Sequence, residues 1–349
     1  MTIVGGFDVH RAQITFDYLD TDTGEVTRGE IRPATRSVLR TWLGRFAGRA
    51  DVAFAAEGCT GWRFVVEELG AAGITPHLAE PADTATARGR KKRAKTDRTD
   101  ARLLRELLCQ GRLPESWIAP SQVLEVRTLA RLYVALMDER RSWRQRIHAQ
   151  LFHQGVPALG GLLTEDGRAA LGAAALSPAG RQMVDTALAA IDQLSELVTP
   201  LRAQLQAVGR HQPGAHSLTA HYGIGPLLGA IIWAELGDCR RFRNSDQAVR
   251  FAGLDITVWS SDGKRSAGHL ARQGSPMLRW ALFEAAMAAT HGTSPDRDYY
   301  AQTKDRLGGK RPALSVARKL VRRCYHTLRE LGDPAWSIVG SSSETKQAA

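Results

Sequence analysis

MTIVGGFDVHRAQITFDYLDTDTGEVTRGEIRP, residues 1–33, decides the fold class. Ile3–Val9 is an apolar run ending beside an acid, and residues 13–19 alternate apolar with polar side chains. Thr21-Asp22-Thr23-Gly24 is turn chemistry before a third run, residues 25–31, so the three segments read as a meander of strands. Further along, Val38, Leu39, Trp42, Leu43 and Phe46 recur at helical spacing, and residues 51–56 read as a short buried strand. Residues 61–72 are helical in pattern and residues 74–78 form one more strand before Glu80-Pro81 breaks it. The order is βββ-α-β-α-β. A helix starting at Asp97 or Asp100 then carries Ala101, Leu103, Leu104, Leu107 and Leu108, and Gly111 with Pro114 ends it, closing a first domain near residue 115.

With 349 residues, 43% of them hydrophobic, the chain has length for about two domains and apolar content to fill them, which excludes a wholly disordered protein. Lys and Arg number 47 against 36 Asp and Glu, a formal net charge of +11, and such an excess points to a polyanionic partner where it is clustered. It is clustered. Residues 88–98, RGRKKRAKTDR, hold seven basic side chains and one acid, nominating Arg90, Lys91, Lys92, Arg93 and Lys95 as nucleic-acid contacts. Residues 304–329 hold nine basic side chains and one acid, with Arg318, Lys319 and Arg322 able to line one side of a helix. The four cysteines are far apart and form no CxxC pair, so neither a zinc ribbon nor a dense disulfide framework is suggested, and a reducing compartment fits best. No signal-peptide pattern opens the chain, and its most apolar later run, residues 226–234, is too short to span a bilayer, so a cytoplasmic location with no membrane partner is expected.

Residues 121–154 form a long helical pattern with Leu124, Leu129, Leu132, Leu136, Trp143, Ile147 and Leu151 on one side and arginines crowding the rest. A second helical stretch, residues 179–208, follows a glycine-rich connection at 155–161, and the pair fits a coiled-coil arm and an ordinary bundle hairpin equally well. The texture changes at Gln212-Pro213-Gly214. Gly223-Ile224-Gly225-Pro226 leads an apolar helix to Leu236, and further helices are expected at 277–290 and 314–331. The expected division is 1–115, 116–210 (helical arm), 211–335 (mainly α) and a disordered tail, 336–349. Gly223 and Gly225 fit either a helix-hairpin-helix-like turn offering backbone N–H groups to a phosphate or a turn that packs helices.

Four carboxylates fall where the expected fold can gather them. Asp8 ends the first strand, Glu57 ends the fourth, and Asp97 and Asp100 open the helix after the sheet. Asp97 and Asp100, three apart, share a helix face, and such oxygens suit hard divalent cations. Each acid taken singly is also explained by an ordinary role, Asp97 and Asp100 as helix N-caps and Glu57 as a solvated strand end. His10, two residues beyond Asp8, is placed behind the acids, and Trp62 and Trp259 are candidates for stacking on bases or for the core.

The strand order with these acids resembles the ribonuclease H-like fold in its RuvC-like form. GFDVH around Asp8, AEGCTGW around Glu57 and KTDRTDARLL around Asp97 and Asp100 resemble the DEDD transposases of insertion-sequence elements. GIGPLLGAIIWAELGD, AVRFAGL, the SSDGK segment and ARQGSPMLRWAL follow in that family's order, so the likeness covers nearly the whole chain as an α/β domain plus a mainly α transposase domain. It implies a DNA recombinase guided by a structured noncoding RNA, the bridge RNA, and acting on target and donor DNA. It also implies Mg²⁺ at the four acids, a homodimer or homotetramer, and a serine that becomes covalently linked to DNA. The matching serine is Ser261, with Lys264 and Arg265 as donors to the reacting phosphate, although Asp262 and Asp255-Ile256 depart from the family pattern and leave Ser260 as a rival. Without the resemblance, Ser260-Ser261-Asp262-Gly263 reads as a turn. A metal-dependent junction nuclease that needs no serine, and a nucleic-acid-binding protein with a degenerate site, are the alternatives.

Overall fold

The computed structural model describes residues 1–87, 96–257, 259–261, 264–266, 268–271 and 273–337, with backbone alone for 259–261 and 264–266. Two compact units divide it, Met1–Ile118 and Ala119 onward. The basic run Arg90, Lys91, Lys92, Arg93 and Lys95 lies outside the described residues, as do residues 338–349.

The first unit is a five-stranded sheet with helices on both faces. Its strands are β1 (Ile3–Val9), β2 (Ile14–Asp20), β3 (Val26–Ile31), β4 (Val52–Glu57) and β5 (Thr75–Ala79), in the order β3-β2-β1-β4-β5. β1–β2 and β2–β3 are antiparallel, whereas β1–β4 and β4–β5 are parallel. The helices are α1 (Arg36–Leu43), α2 (Trp62–Ala71), α3 (Pro81–Ala87) and α4 (Asp97–Cys109). The expected order is therefore observed, with α3 added where the sequence shows only a break; Pro81 opens that helix, a position where its missing N–H costs nothing.

Side-chain parity along β1 divides the labour. Odd positions Ile3, Phe7 and Val9 enter a core with Phe16, Leu39, Trp42, Phe46, Phe54 and Leu69, beneath α1 and α2. Phe7 stacks on Phe54 with ring centroids 4.5 Å apart. Even positions face α4. A Cβ on Gly6 would lie 2.2 Å from the Ala101 carbonyl oxygen, so only glycine lets the helix backbone come this close. Ala55, Ala79 and Leu104 pack on this second face. A buried ion pair also fastens it, Arg105 Nε lying 2.7 Å from Asp17 Oδ1, with Arg28 Nε 2.6 Å from Oδ2.

Among its described residues the second unit is helical apart from one short ribbon. Its elements are α5 (Ser121–His153), α6 (Glu165–Ala173), α7 (Pro178–His211), α8 (Pro213–Leu218), α9 (Pro226–Leu236), α10 (Ser245–Phe251), β6 (Trp259–Ser261), β7 (Lys264–Ser266), α11 (Pro276–Met287), α12 (Arg297–Leu307) and α13 (Arg311–Leu331). α5 and α7 run antiparallel: Arg140 Nη1 donates to Ser195 Oγ at 3.3 Å and Gln154 Nε2 to Ser177 Oγ at 3.0 Å. The seam on α5 differs from the expected leucine stripe. Val123, Val126, Ala130 and Tyr133 are buried, whereas Leu132 is 48% exposed. Arg127 on this side of α5 donates to the Ala234 carbonyl of α9 at 2.7 Å, and that contact fixes which side of α5 turns inward. Ile147 and Leu151 do enter a core, with Leu171 of the unexpected α6 and Val184, Ala187 and Ile191 of α7. Trp336, assigned to the tail on sequence grounds, stacks on Trp233 with centroids 5.5 Å apart. No helix among the described residues is long and apolar enough to cross a membrane.

Candidate active site

Register brings Asp8 and Glu57 to the same level. β1 and β4 pair in parallel up to Phe7 with Ala56, and Asp8 and Glu57 are the next residue on each strand. Parity turns both towards α4, the face of Gly6 and Ala55. Asp97 is the first residue of α4 and Asp100 stands one turn on. Neither is the N-cap. Thr96 holds that place, its hydroxyl accepting from the Thr99 N–H while the Thr99 hydroxyl accepts from the Thr96 N–H, a reciprocal capping box. The capping explanation of the two acids thus fails, and both are left to the helix's first turn, where the positive end of its dipole favours negative charge.

Asp8, Glu57, Asp97 and Asp100 line one open cavity of about 750 Å³, with His10, Arg11, Cys59, Thr60 and Phe64 among its other walls. Within it, one ligand atom each from Asp8, His10 and Asp97 lie within 4.8 Å of one another. His10 Nε2 is 3.2 Å from Asp8 Oδ2 and 3.5 Å from Asp97 Oδ1, while Gln13 Nε2 donates to the other Asp97 oxygen at 3.2 Å. Asp8 is buried and its carboxyl is held above the usual carboxylate range, first by burial and then by the negative charges of Asp100 and Asp97, with His10 opposing the rise. Burial, and after it the charge of Glu57, likewise pushes the Cys59 thiol up. Crowded carboxylates with a buried member at the centre suit a divalent cation, which relieves their repulsion and satisfies their oxygens.

His10 belongs nearer the centre than the sequence reading put it. The signal was its i+2 spacing from Asp8. Gln13, just before β2, is a partner that no local pattern announced. Trp62 starts α2 half-buried.

In the second unit, Ser260 and Ser261 lie on β6 rather than in a turn; the register pairs Ser261 with Lys264 and Ser260 with Arg265. Below them the Thr257 N–H donates to the His269 carbonyl at 2.8 Å and Ile256 bridges to Leu270, extending the ribbon. Asp262 and Gly263 lie outside the described residues. The other expected contacts have intramolecular roles. Gly223 has φ +88°, and a Cβ there would meet the Ala285 carbonyl oxygen of α11 at 2.3 Å, so it packs helices; at Gly225 a Cβ would meet open space. Arg318 Nε donates to the Leu254 carbonyl at 2.5 Å, Arg322 pairs with Asp246 at 2.8 Å, and Lys319 lies 3.7 Å from the Tyr299 ring centroid.

Comparison with known proteins finds transposase relatives that match both units. A transposase profile of the DEDD type, from IS110 elements, matches residues 5–153, and a profile described as the transposase IS116/IS110/IS902 family matches residues 215–301. The protein y4rJ of Sinorhizobium fredii, which carries a transposase name, is 32% identical over 280 residues, 70% of each chain. The transposase for insertion sequence element IS1111A of Coxiella burnetii is 24% identical over 246 residues, 65% of each chain. An uncharacterised 44.8 kDa protein of insertion element IS116 from Streptomyces clavuligerus is 27% identical over 139 residues, 39% of this chain and 35% of the relative.

Proposed function

The chain belongs to the IS116/IS110/IS902 transposase family, enzymes whose substrate is DNA, and on that premise we propose a bridge-RNA-guided recombinase with Ser261 as nucleophile. The observation that carries this reading is the convergence of Asp8, Glu57, Asp97 and Asp100, drawn from two strands and a helix, on one cavity. These residues would hold a divalent cation such as Mg²⁺, which when bound supplies Lewis-acid stabilisation of the charge on phosphodiester oxygens. The Ser261 hydroxyl attacks phosphorus; an Oγ–P bond forms as a P–O bond to a sugar oxygen breaks, and the serine proton leaves with that oxygen. A sugar hydroxyl of the partner DNA then attacks the phosphoserine and returns the proton to Ser261, so rejoining needs no external energy. Lys264 and Arg265 donate to the reacting phosphate.

Arg90, Lys91, Lys92, Arg93 and Lys95 hold nucleic-acid backbone. Two DNA partners, target and donor, and the closed symmetry usual for such enzymes favour a homodimer or homotetramer with the α5–α7 pair as interface.

The test is a denaturing gel of protein with bridge RNA, Mg²⁺ and labelled target DNA, comparing wild type with Ser261→Ala and Asp8→Asn. The expected result is a protein–DNA adduct in wild type alone. Cleaved DNA without an adduct, unaffected by Ser261→Ala, would replace this reading with hydrolysis by a RuvC-like junction nuclease.

A further inference from the structure

We propose that His10 supplies a nitrogen ligand to the cation held by Asp8 and Asp97, so that the cavity takes a first-row transition cation such as Mn²⁺ in preference to Mg²⁺. This rests on the reading of the acidic cavity as a cation site. The acids alone would specify a hard, all-oxygen site, which suits Mg²⁺ and Mn²⁺ alike. His10 changes the donor chemistry. Adjacent ligands around an octahedral cation with bonds of about 2.1 Å lie about 3 Å apart, and Nε2 already stands 3.2 Å from Asp8 Oδ2 and 3.5 Å from Asp97 Oδ1. The Gln13 amide occupies Asp97 Oδ2 at 3.2 Å and leaves Oδ1 as the oxygen turned to the imidazole. A ring nitrogen is a poor partner for Mg²⁺ and a good one for first-row transition metals, so the mixed set discriminates between cations of equal charge.

The same distances suit a different arrangement, in which a protonated His10 is simply the counter-ion of the two carboxylates. That arrangement gives the opposite sign on mutation. An imidazolium competes with a cation, so its removal tightens binding; a ligand assists, so its removal weakens it.

The experiment uses the full chain without nucleic acid and titrates Mn²⁺, following the free ion by electron paramagnetic resonance, with Mg²⁺ measured by competition. Loss of one ligand should weaken Mn²⁺ about tenfold or more in His10→Ala, while Mg²⁺ changes less than about threefold. Pulsed spectra of the wild-type Mn²⁺ complex should show a directly bound ¹⁴N that His10→Ala removes. His10→Asp, which restores an oxygen donor, should narrow the preference for Mn²⁺ over Mg²⁺ without abolishing binding. Unchanged or tighter Mn²⁺ binding in His10→Ala, with no bound ¹⁴N in wild type, would overturn the assignment of His10 while leaving the acidic site standing. Asp8→Asn separates the two levels: if wild-type Mn²⁺ binding is indifferent to it, the acidic cavity is not the cation site and both readings fall.

Discussion

Charged residues crowd both units, yet the acids of the cavity and the cations of α13 are used in opposite ways. In the first unit burial raises the Asp8 carboxyl, and the negative charges of Asp100 and Asp97 add to the rise against the opposing pull of His10. In the second, α13 engages its cations one by one: Arg323 with Asp296 at 2.6 Å, Arg322 with Asp246 at 2.8 Å, Arg318 with a backbone carbonyl. Arg241 is half-buried beside the Phe242 and Phe251 rings, 4.3 and 4.4 Å from their centroids, and burial brings its guanidinium pKa down to about 10. Like charges held together against their repulsion mark a place kept for a ligand. Opposite charges that satisfy each other mark architecture.

The largest effect that tests this contrast belongs to Asp8. Asp8→Asn should slow strand cleavage by about 10³-fold or more, measured as single-turnover cleavage of labelled DNA, without loss of stability. Because the folded Asp8 carboxyl sits above its ordinary value of 3.8, ionisation costs the fold free energy; that cost is absent below the ordinary value and fully present above the raised one. Melting temperatures of Asp8→Asn should therefore equal or exceed wild type at pH 7 and converge with it by ~pH 3. A marked fall at pH 7 would make Asp8 structural. Next in size is Arg105→Ala, which removes a buried partner of Asp17 and leaves the exposed Arg28. Urea unfolding should register about 3 kcal/mol of lost stability. The smallest effect should come from Arg322→Ala, whose pair with Asp246 is exposed; a change above about 1 kcal/mol, or one insensitive to salt, would blur the distinction between the units.

The first unit was largely legible because its signals are local and periodic. Runs such as Ile3–Val9 and the leucines of α4 announce their elements, and parity carries Asp8 and Glu57 to one face once the strands are paired. What escaped depends on contacts distant in sequence or on competition between caps. Thr96 rather than an aspartate caps α4, and Gln13 reaches Asp97 across 84 positions. The second unit was less legible. The leucine stripe of α5 misled because Arg127, reaching backbone carbonyls of α9, turns a different side inward, and hydropathy does not record such bonds. Short helices such as α8 and α10 carry too few turns for a periodicity to emerge. Ser260 and Ser261 read as a turn because Ser, Asp and Gly are turn formers, whereas the ribbon is set by pairing with residues 264–266.

The alternation along β1 also shapes how this protein can change over generations. Phe7 and Val9 support the core while Asp8, between them, serves the cavity, so variation in chemistry and variation in stability fall on interleaved positions. A lineage exploring new cation preferences through residues 8 and 10 need not disturb the aromatic packing beneath. Gly6 is the exception: on the cavity side of the strand, it has no room for any side chain, and a directed-evolution library would find it the one silent letter in that row.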